Sequence, residues 1–202
     1  MSLVKRIQGN TLFHVDSSFN PRRSSYSLLR AFELPPPGNG GDTEFADSRQ
    51  AFEDLAEDLK KELLEKDYVA VHSIWHSRKS GSPEYFKDLD ISTMPMAKHK
   101  LVQRHEPSGR MNLYIAAHAH NIEGLEPEKS KELLGRLLRH ATQKKYVIAV
   151  PWFNPSDLVI WDNTCVLHRA GEFAGGYKRD LRRTTVHDDS PTAWGLNEKL
   201  AA

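Results

Sequence analysis

The sequence predicts a mainly β fold, a sandwich or an open barrel with α-helices packed on its outside. Six short segments are rich in β-branched and aromatic residues and are bounded by Gly, Pro, Asp or Asn, which is typical of strands. Only two segments repeat apolar residues with helical spacing. Apolar residues make up 39% of the 202 positions, enough for one buried core, so residues 1–202 are predicted to form a single domain.

The two helices are predicted at residues 51–63 and 127–138, where Pro127 suits a first helical turn. Each has one apolar face with the three-to-four spacing of a packed helix. These faces consist of Ala51, Phe52, Leu55, Leu59 and Leu63 in the first helix, and of Leu133, Leu134, Leu137 and Leu138 in the second.

The strands are predicted around the helices, whereas the segment around residues 75–110 has no clear period. It mixes His, Lys, Ser, Pro and Met, so we predict an irregular excursion from the barrel there. The predicted strands are residues 68–74, 111–117, 146–152, 158–161, 165–168 and 182–186.

The charge balance argues against large polyanionic partners. Lys and Arg number 28 and Asp and Glu number 27, a formal net charge of +1. The chain therefore lacks the long-range attraction to nucleic acid or acidic lipid that a basic protein has. No apolar run approaches the ~20 residues of a transmembrane helix. The single cysteine, Cys165, cannot form an internal disulfide, which favours a reducing compartment and predicts a cytoplasmic protein.

A His-x-Asp pair is the first candidate for metal chemistry. Successive side chains of a strand alternate between its faces, so His14 and Asp16 are expected to point the same way. An imidazole and a carboxylate on one face are two thirds of the 2-His-1-carboxylate group that binds Fe(II). By itself such a pair is more often a strand end with two solvated polar groups.

A histidine and an arginine far along the chain are candidates for the third metal ligand and for a cation that binds the co-substrate. His168 stands near the end of a short predicted strand and can provide a third ligand. A site that orients a bidentate keto acid at iron also needs a cation for its carboxylate. Arg179, eleven residues after His168, meets that need across one loop.

Four segments together resemble one family in residues and in order. They are residues 10–19 (NTLFHVDSSF), 40–47 (GGDTEFAD), 161–163 (WDN) with His168, and 179–185 (RDLRRTT). The sequence is similar, over essentially the whole chain, to the taurine dioxygenase and 2,4-dichlorophenoxyacetate dioxygenase family of Fe(II)- and 2-oxoglutarate-dependent oxygenases. The resemblance implies a double-stranded β-helix, a jelly-roll or cupin-like fold with flanking α-helices.

The resemblance also implies which residues hold the metal and the co-substrate. Matched residue by residue, His14, Asp16 and His168 are the catalytic iron ligands. Thr43 and Arg179 match the threonine and the arginine that bind the distal carboxylate of 2-oxoglutarate.

Two further residues are implied to contact the prime substrate. Arg183 matches the arginine that receives its anionic head, and the i, i+4 spacing from Arg179 is consistent with one shared strand face. Arg182 then faces the other way and is predicted to make a structural pair. His118 aligns with a pocket wall; a metal site formed with His120 is the weaker interpretation, because no third ligand lies nearby in sequence.

The implied reaction hydroxylates a small carboxylate or sulfonate with O2 and releases succinate and CO2 from 2-oxoglutarate. Iron carries the oxidative chemistry, and the protein supplies ligands, orientation and exclusion of water. Related halogenating enzymes have a small residue in place of the carboxylate ligand, so Asp16 favours hydroxylation. Phe19, Phe45 and Trp161 near the motifs predict an aryloxyacetate-like substrate ahead of taurine.

The sequence is N-terminally short relative to the family, since His14 stands close to its start. Relatives carry a longer preceding segment that supplies a first barrel strand, outer helices and some substrate contacts. We therefore expect an unpaired sheet edge and an unlined side of the pocket. A truncated gene model, a fragment and a homo-oligomer that covers its own edge are the three explanations.

Two other functions remain open from the sequence. A catalytically inactive β-helix could act as a binding or structural module, although such relatives usually lose a metal ligand or the co-substrate arginine, and this chain has both. A zinc hydrolase on a cupin-like barrel would leave Thr43 and Arg179 without a role. Cys165 lacks a local Cys-His signature and is predicted to be a small buried residue rather than a nucleophile.

Overall fold

The computed structural model describes residues 11–199, which contain eleven β-strands and four α-helices. The strands are β1 (Ser24–Glu33), β2 (Thr43–Asp47), β3 (Val69–His72), β4 (Ala97–Lys100), β5 (Val102–Arg104), β6 (Met111–Leu113), β7 (Ala119–Ile122), β8 (Val147–Val150), β9 (Leu158–Asp162), β10 (Val166–Ala170) and β11 (Asp180–His187). The helices are α1 (Ser48–Glu53), α2 (Glu57–Lys66), α3 (Ile74–Gly81) and α4 (Pro127–Ala141).

Two three-stranded antiparallel sheets form the frame of the molecule. Their strand orders are β11-β1-β9 and β10-β2-β8. The sheets meet through aromatic side chains, with ring centroids 5.4 Å apart for Phe45 and Trp161 and 4.6 Å apart for Trp161 and His168. A third sheet, β4-β3-β7, and the β5-β6 pair complete the strands of residues 11–199. The arrangement confirms the predicted double-stranded β-helix with helices outside it.

The main core lies where the helices pack against the strands, with α1 against β6 and α4 against β7. Both predicted helical faces are packed into it. Leu134 and Leu137 are buried, and Leu133 and Leu138 are partly buried against the same core. Pro127 begins α4, as its restricted backbone and missing N–H predict.

The first predicted helix is two helices, α1 and α2, although all five residues of its apolar face are buried. Asp54 ends α1, and its carboxylate accepts hydrogen bonds from Gln50, Lys145 and Tyr146. These contacts hold Asp54 outside a continuous helix.

Two strands of the frame, β1 and β2, are absent from the prediction. β1 has irregular register around Ser24–Ser27 and Ala31–Glu33, so buried residues do not alternate strictly along it. A period-two search misses such a strand. The prediction of an irregular segment around residues 75–110 is also wrong in part, because α3, β4 and β5 lie there. Ser73 caps α3 by accepting from the His76 backbone N–H.

The edge strands β8 and β9 carry large exposed apolar side chains. Ile148 is 64% exposed, Leu158 54% and Ile160 56%. Within residues 11–199 neither strand pairs with a further strand on its outer side. The outer edges of these two sheets therefore combine an unpaired backbone with apolar side chains.

Among residues 11–199, no helix combines the length and the apolar character that crossing a membrane requires.

A buried arginine ties the C-terminal segment to the start of β1. Arg23 is 3% exposed, and its Nε donates to Asp188 Oδ2 at 2.7 Å. Its other nitrogens donate to Gln103 Oε1 at 2.6 Å and to Thr192 Oγ1 at 2.9 Å. The guanidinium also lies 4.8 Å from the centre of the Tyr114 ring. Asp188 therefore holds a fully paired charge in the protein interior.

Replacing Arg23 by alanine should destabilise the fold by about 3–5 kcal/mol, because the Asp188 carboxylate would stay buried without its partner. The free energy of unfolding from urea titrations measures this effect. Arg136→Ala, at an exposed position of α4, is the matched control and should change stability by less than about 0.5 kcal/mol. Equal stability of the two variants would contradict the role assigned to Arg23.

Candidate functional site

The site is built on a backbone pairing between two distant segments. His14 donates its N–H to the carbonyl of His168 at 3.0 Å, and His168 donates back to the carbonyl of His14 at 2.8 Å. Residue 14 thus extends the β10-β2-β8 sheet by one antiparallel bridge. The bridge sets the two imidazole rings 4.3 Å apart.

Three predicted ligands converge at this bridge. The Nε2 atoms of His14 and His168 lie 3.8 Å and 3.6 Å from Asp16 Oδ1. All three residues are buried, and their donor atoms lie within 4.8 Å of one another. The side chains of His14 and Asp16 point the same way, as predicted, but Asp16 lies in the turn after the bridge residue His14 and not in a strand.

The imidazole of His14 offers a lone pair to the centre of the group. His14 Nδ1 lies 2.7 Å from the Leu12 carbonyl, which can only accept, so Nδ1 carries the proton and Nε2 is free to bind. Burial and the neighbouring His168 lower the pKa of His14 to about 3, which keeps the ring neutral at pH 7. Within residues 11–199, neither buried nitrogen of His168 has a hydrogen-bond partner.

The carboxylate of Asp16 is held in its ionised form. Burial on its own raises the pKa of Asp16, but His168, the Arg183 guanidinium and the Ser27 hydroxyl outweigh it and hold that pKa below its usual range. Ser27 Oγ donates to Oδ2 at 2.6 Å, which leaves Oδ1 facing the histidines. Two imidazoles and one carboxylate, with an orphaned buried imidazole, fit the donor set that non-haem Fe(II) takes.

Two side chains that the sequence did not single out as ligands orient Asp16. The Asn163 side chain is fully buried, and its Oδ1 accepts from the backbone N–H of Asp16 at 3.0 Å. Its Nδ2 donates to Ser27 Oγ at 2.8 Å, so Asn163 and Ser27 form one network around the carboxylate. Asn163 belongs to the WDN segment without a predicted role of its own, and Ser27 lies in the unpredicted strand β1.

A cavity of about 210 Å³ opens beside the histidines. Thr43 and Arg179 line it together with His14 and His168, so the structure brings the predicted co-substrate residues next to the candidate ligands. Trp152 Nε1 donates to Thr43 Oγ1 at 3.1 Å. Because a hydroxyl has one proton of its own, Thr43 can still donate that proton to an anion.

The glycine turn before Thr43 positions Arg179. The Nε and Nη2 atoms of Arg179 donate to the Gly41 carbonyl at 3.1 Å and 2.8 Å. Gly41 has φ +94°, and a Cβ there would lie 3.2 Å from Arg179 Nε. A side chain at this position would therefore strain the backbone and press on the guanidinium.

A second, larger cavity of about 590 Å³ also borders the ligand group. Its walls are formed by the polar side chains of His14, Asp16, Ser17, Ser77, Arg78, His118 and Arg183 and by three apolar ones, Phe19, Ile74 and Trp75. His14 and Arg183 line both cavities.

Arg183 stands at the boundary of the two cavities. Its Nη1 donates to Asp16 Oδ1 at 2.7 Å, and its side chain is 42% exposed. Arg182 pairs instead with Asp180 at 3.1 Å and stacks 3.8 Å above Phe32, away from the ligand group, as predicted. The direct contact of Arg183 with the carboxylate was not foreseen from the sequence.

His118 lies at the wall of the larger cavity, as predicted. Its Nδ1 is 2.8 Å from Ser77 Oγ, and its ring lies 5.0 Å from Phe19 and 5.6 Å from His14. His120 has other partners, since Nε2 lies 3.4 Å from Met96 Sδ. Residues 11–199 contain no metal-ligand group that includes both His118 and His120.

The comparisons with known proteins agree with this geometry. The family model described as "Taurine catabolism dioxygenase TauD, TfdA family" matches residues 3–185. The alpha-ketoglutarate-dependent 2,4-dichlorophenoxyacetate dioxygenase of Burkholderia sp. is 44% identical over 88% of this chain and 58% of its own length. The (S)-phenoxypropionate/alpha-ketoglutarate-dioxygenase of Sphingobium herbicidovorans is 34% identical over 96% of this chain and 68% of its own length.

A solved structure is also similar to this chain in its fold. The crystal structure of AAD-2 in complex with Mn(II) and N-oxalylglycine matches with a TM-score of 0.82 and 36% identity, over 95% of this chain and 74% of that chain. The chain therefore spans only part of the length of its relatives. Since the family match covers nearly all of its residues, the chain belongs to the taurine catabolism dioxygenase TauD, TfdA family.

Proposed function

We propose that the chain is an Fe(II)- and 2-oxoglutarate-dependent dioxygenase that hydroxylates a small anionic organic substrate with O2 and releases succinate and CO2. One observation carries this proposal. His14 and His168 line the same cavity as Thr43 and Arg179, so metal donors and anion donors share one space. Neither an inactive module nor a zinc hydrolase requires that combination.

The names of the relatives support the same activity. Two are dioxygenases that depend on alpha-ketoglutarate, which is 2-oxoglutarate, and act on phenoxy acids. The AAD-2 structure contains Mn(II) and N-oxalylglycine, which, like 2-oxoglutarate, joins an oxo acid to a second carboxylate.

In the proposed mechanism, His14, Asp16 and His168 hold the iron, and Asn163 and Ser27 keep the carboxylate oriented toward it. The bound iron and 2-oxoglutarate supply the oxidative chemistry that inserts one oxygen atom of O2 into a C–H bond. Arg179 pairs with the distal carboxylate of 2-oxoglutarate and Thr43 donates a hydrogen bond to it, which fixes its orientation in the smaller cavity.

The larger cavity is proposed to receive the prime substrate. Arg183 offers a guanidinium to its anionic head, a group suited to carboxylate and also to sulfonate. Phe19, Ile74 and Trp75 provide apolar walls for its remainder, and His118 closes the side next to His14. An aryl carboxylate of the aryloxyacetate type fits these surroundings better than taurine, which has no apolar group of that size.

We further propose that the protein works in the cytoplasm, with small molecules and O2 as its partners rather than nucleic acid or membranes. The single, buried Cys165 and the formal net charge of +1 support this.

The first prediction concerns the metal. His14→Ala and His168→Ala should each abolish stoichiometric Fe(II) binding after anaerobic reconstitution, because two remaining donors hold the ion weakly. Iron content per folded protein measures this, with circular dichroism as the check on folding. The exposed His187→Ala is the matched control and should bind iron like the wild type. Unchanged iron content in both ligand variants would rule out this group.

The second prediction concerns the co-substrate. Arg179→Ala should weaken 2-oxoglutarate binding to the Fe(II) protein by at least about 2 kcal/mol, about thirtyfold in Kd, since the carboxylate loses a charge-assisted partner. Anaerobic calorimetry measures the affinity, and iron binding should persist. Lys178→Ala, at the exposed neighbouring residue, should leave the affinity unchanged. Equal affinity in Arg179→Ala and the wild type would refute the assignment.

The third prediction concerns the substrate class. Aryloxyacetates should stimulate succinate release more than taurine or neutral aromatics do, and Arg183→Ala should lose most of this preference for acids. Succinate is measured across a panel of carboxylates, sulfonates and neutral aromatics, with iron content checked because Arg183 touches Asp16. Arg182→Ala is the control on the opposite strand face. A preference for neutral compounds, or the same stimulation by acids in Arg183→Ala, would overturn the role of Arg183.

A further inference from the structure

A second group of metal-ligating side chains lies away from the candidate iron ligands. His105 Nε2 is 3.0 Å from Asp162 Oδ2, and the donor atoms of His105, Asp162 and Cys165 all lie within 4.8 Å of one another. His105 and Cys165 are 6% and 3% exposed, and the Asp162 side chain is 17% exposed. The proposed dioxygenase reaction uses none of the three.

The remaining polar atoms of two of these side chains are already engaged. His105 Nδ1 lies 2.7 Å from Ser108 Oγ, which fixes the ring with Nε2 toward Asp162. Asp162 Oδ1 accepts from the Thr164 N–H at 2.8 Å and from Thr164 Oγ1 at 2.6 Å, so Oδ2 is the oxygen left toward His105. Outer hydrogen bonds of this kind orient the ligands of metal sites in proteins.

Of the three side chains, the Cys165 thiol has the weakest hydrogen bonding. Cys165 Sγ has only a distant contact, 4.0 Å to the Asp162 carbonyl, within residues 11–199. A cavity of about 410 Å³ is lined by all three residues, which gives an ion a path of entry and room for a water molecule as fourth ligand. Arg49, at the same cavity, is paired with Asp47 at 2.9 Å, which offsets its repulsion of a cation.

We propose that His105, Asp162 and Cys165 bind a zinc ion at the turn between β9 and β10. One imidazole, one carboxylate and one thiolate are ligands that Zn²⁺ accepts in a four-coordinate site, with water completing the tetrahedron. The thiol proton leaves to solvent when the ion binds. The iron ligands contain no sulfur, so the two sites differ in chemistry.

The site would link the metal to the candidate active site through one residue. Asn163 lies between Asp162 and Cys165 in the turn, and its side chain accepts from the Asp16 backbone N–H. An ion held on both sides of Asn163 stiffens the turn that orients Asp16. The expected role is therefore structural support of the neighbouring site.

Cobalt(II) is the probe that separates the two sites. Cys165 is the chain's single cysteine, so a thiolate-to-cobalt charge-transfer band in the near ultraviolet reports this site alone. Chelator-treated protein carrying His14→Ala and His168→Ala should develop the band to one equivalent of Co²⁺. Zn²⁺ should then displace the cobalt, remove the band and raise Tm.

Three variants in the same background complete the test. Cys165→Ser should lose both the band and the zinc-induced rise in Tm. His105→Gln and Asp162→Asn should each weaken Co²⁺ binding by about tenfold or more, since loss of even an outer-shell partner costs about 10–100-fold. If either of these variants does not fold, the Tm comparison between Cys165→Ser and its parent decides.

Two results would overturn the proposal. One is a parent protein without a charge-transfer band at any Co²⁺ concentration. The other is a band with unchanged affinity in His105→Gln and Asp162→Asn, which would mean that the thiol binds the ion by itself.

Discussion

The candidate site depends on one backbone pairing, the reciprocal hydrogen bonds of 3.0 Å and 2.8 Å between His14 and His168. This bridge brings together segments from opposite ends of the described chain and sets the distance between their imidazoles. Asp16 lies in the turn just after this bridge, and its backbone N–H donates to the Asn163 amide oxygen. Losing the bridge would separate two of the three ligands even if each segment kept its local structure.

The electrostatics of the site follow from burial. Burying the three candidate ligands as charged groups without partners would cost free energy. Two features of the site avoid that cost. The pKa of His14 is lowered so that its ring is neutral, whereas Arg183 and Ser27 stabilise Asp16 as an anion. Because Arg183 also borders both cavities, one guanidinium compensates the carboxylate and faces the space proposed for the substrate.

The sequence predicts the parts of the site that depend on local spacing. The side chains of His14 and Asp16 point the same way, Arg182 and Arg183 take opposite strand faces, and both helical apolar stripes are packed as their periodicity requires. The pairing of residue 14 with residue 168 required the combination of motifs along the whole chain. A local sequence pattern does not predict a contact between segments that lie so far apart in the chain.

Other features of the fold and the site could not be predicted from local sequence spacing. β1 is irregular in register, so its buried residues do not alternate, and no period-two pattern marks Ser27 as a partner of Asp16. The contact between Arg183 and Asp16, and the convergence of His105 on Asp162 and Cys165, are products of how the sheets and the β5–β6 segment pack. Spacing in sequence carries no information about them.

On the function proposed above, one cavity accepts both Fe(II) and 2-oxoglutarate. Anaerobic titration of the protein with Fe(II) and then 2-oxoglutarate tests it most directly through the weak visible metal-to-ligand charge-transfer band of a chelated keto acid. We expect the band to appear only when both are present and to saturate at one equivalent of each. Stoichiometric iron binding without the band, or no binding of either, would contradict the account.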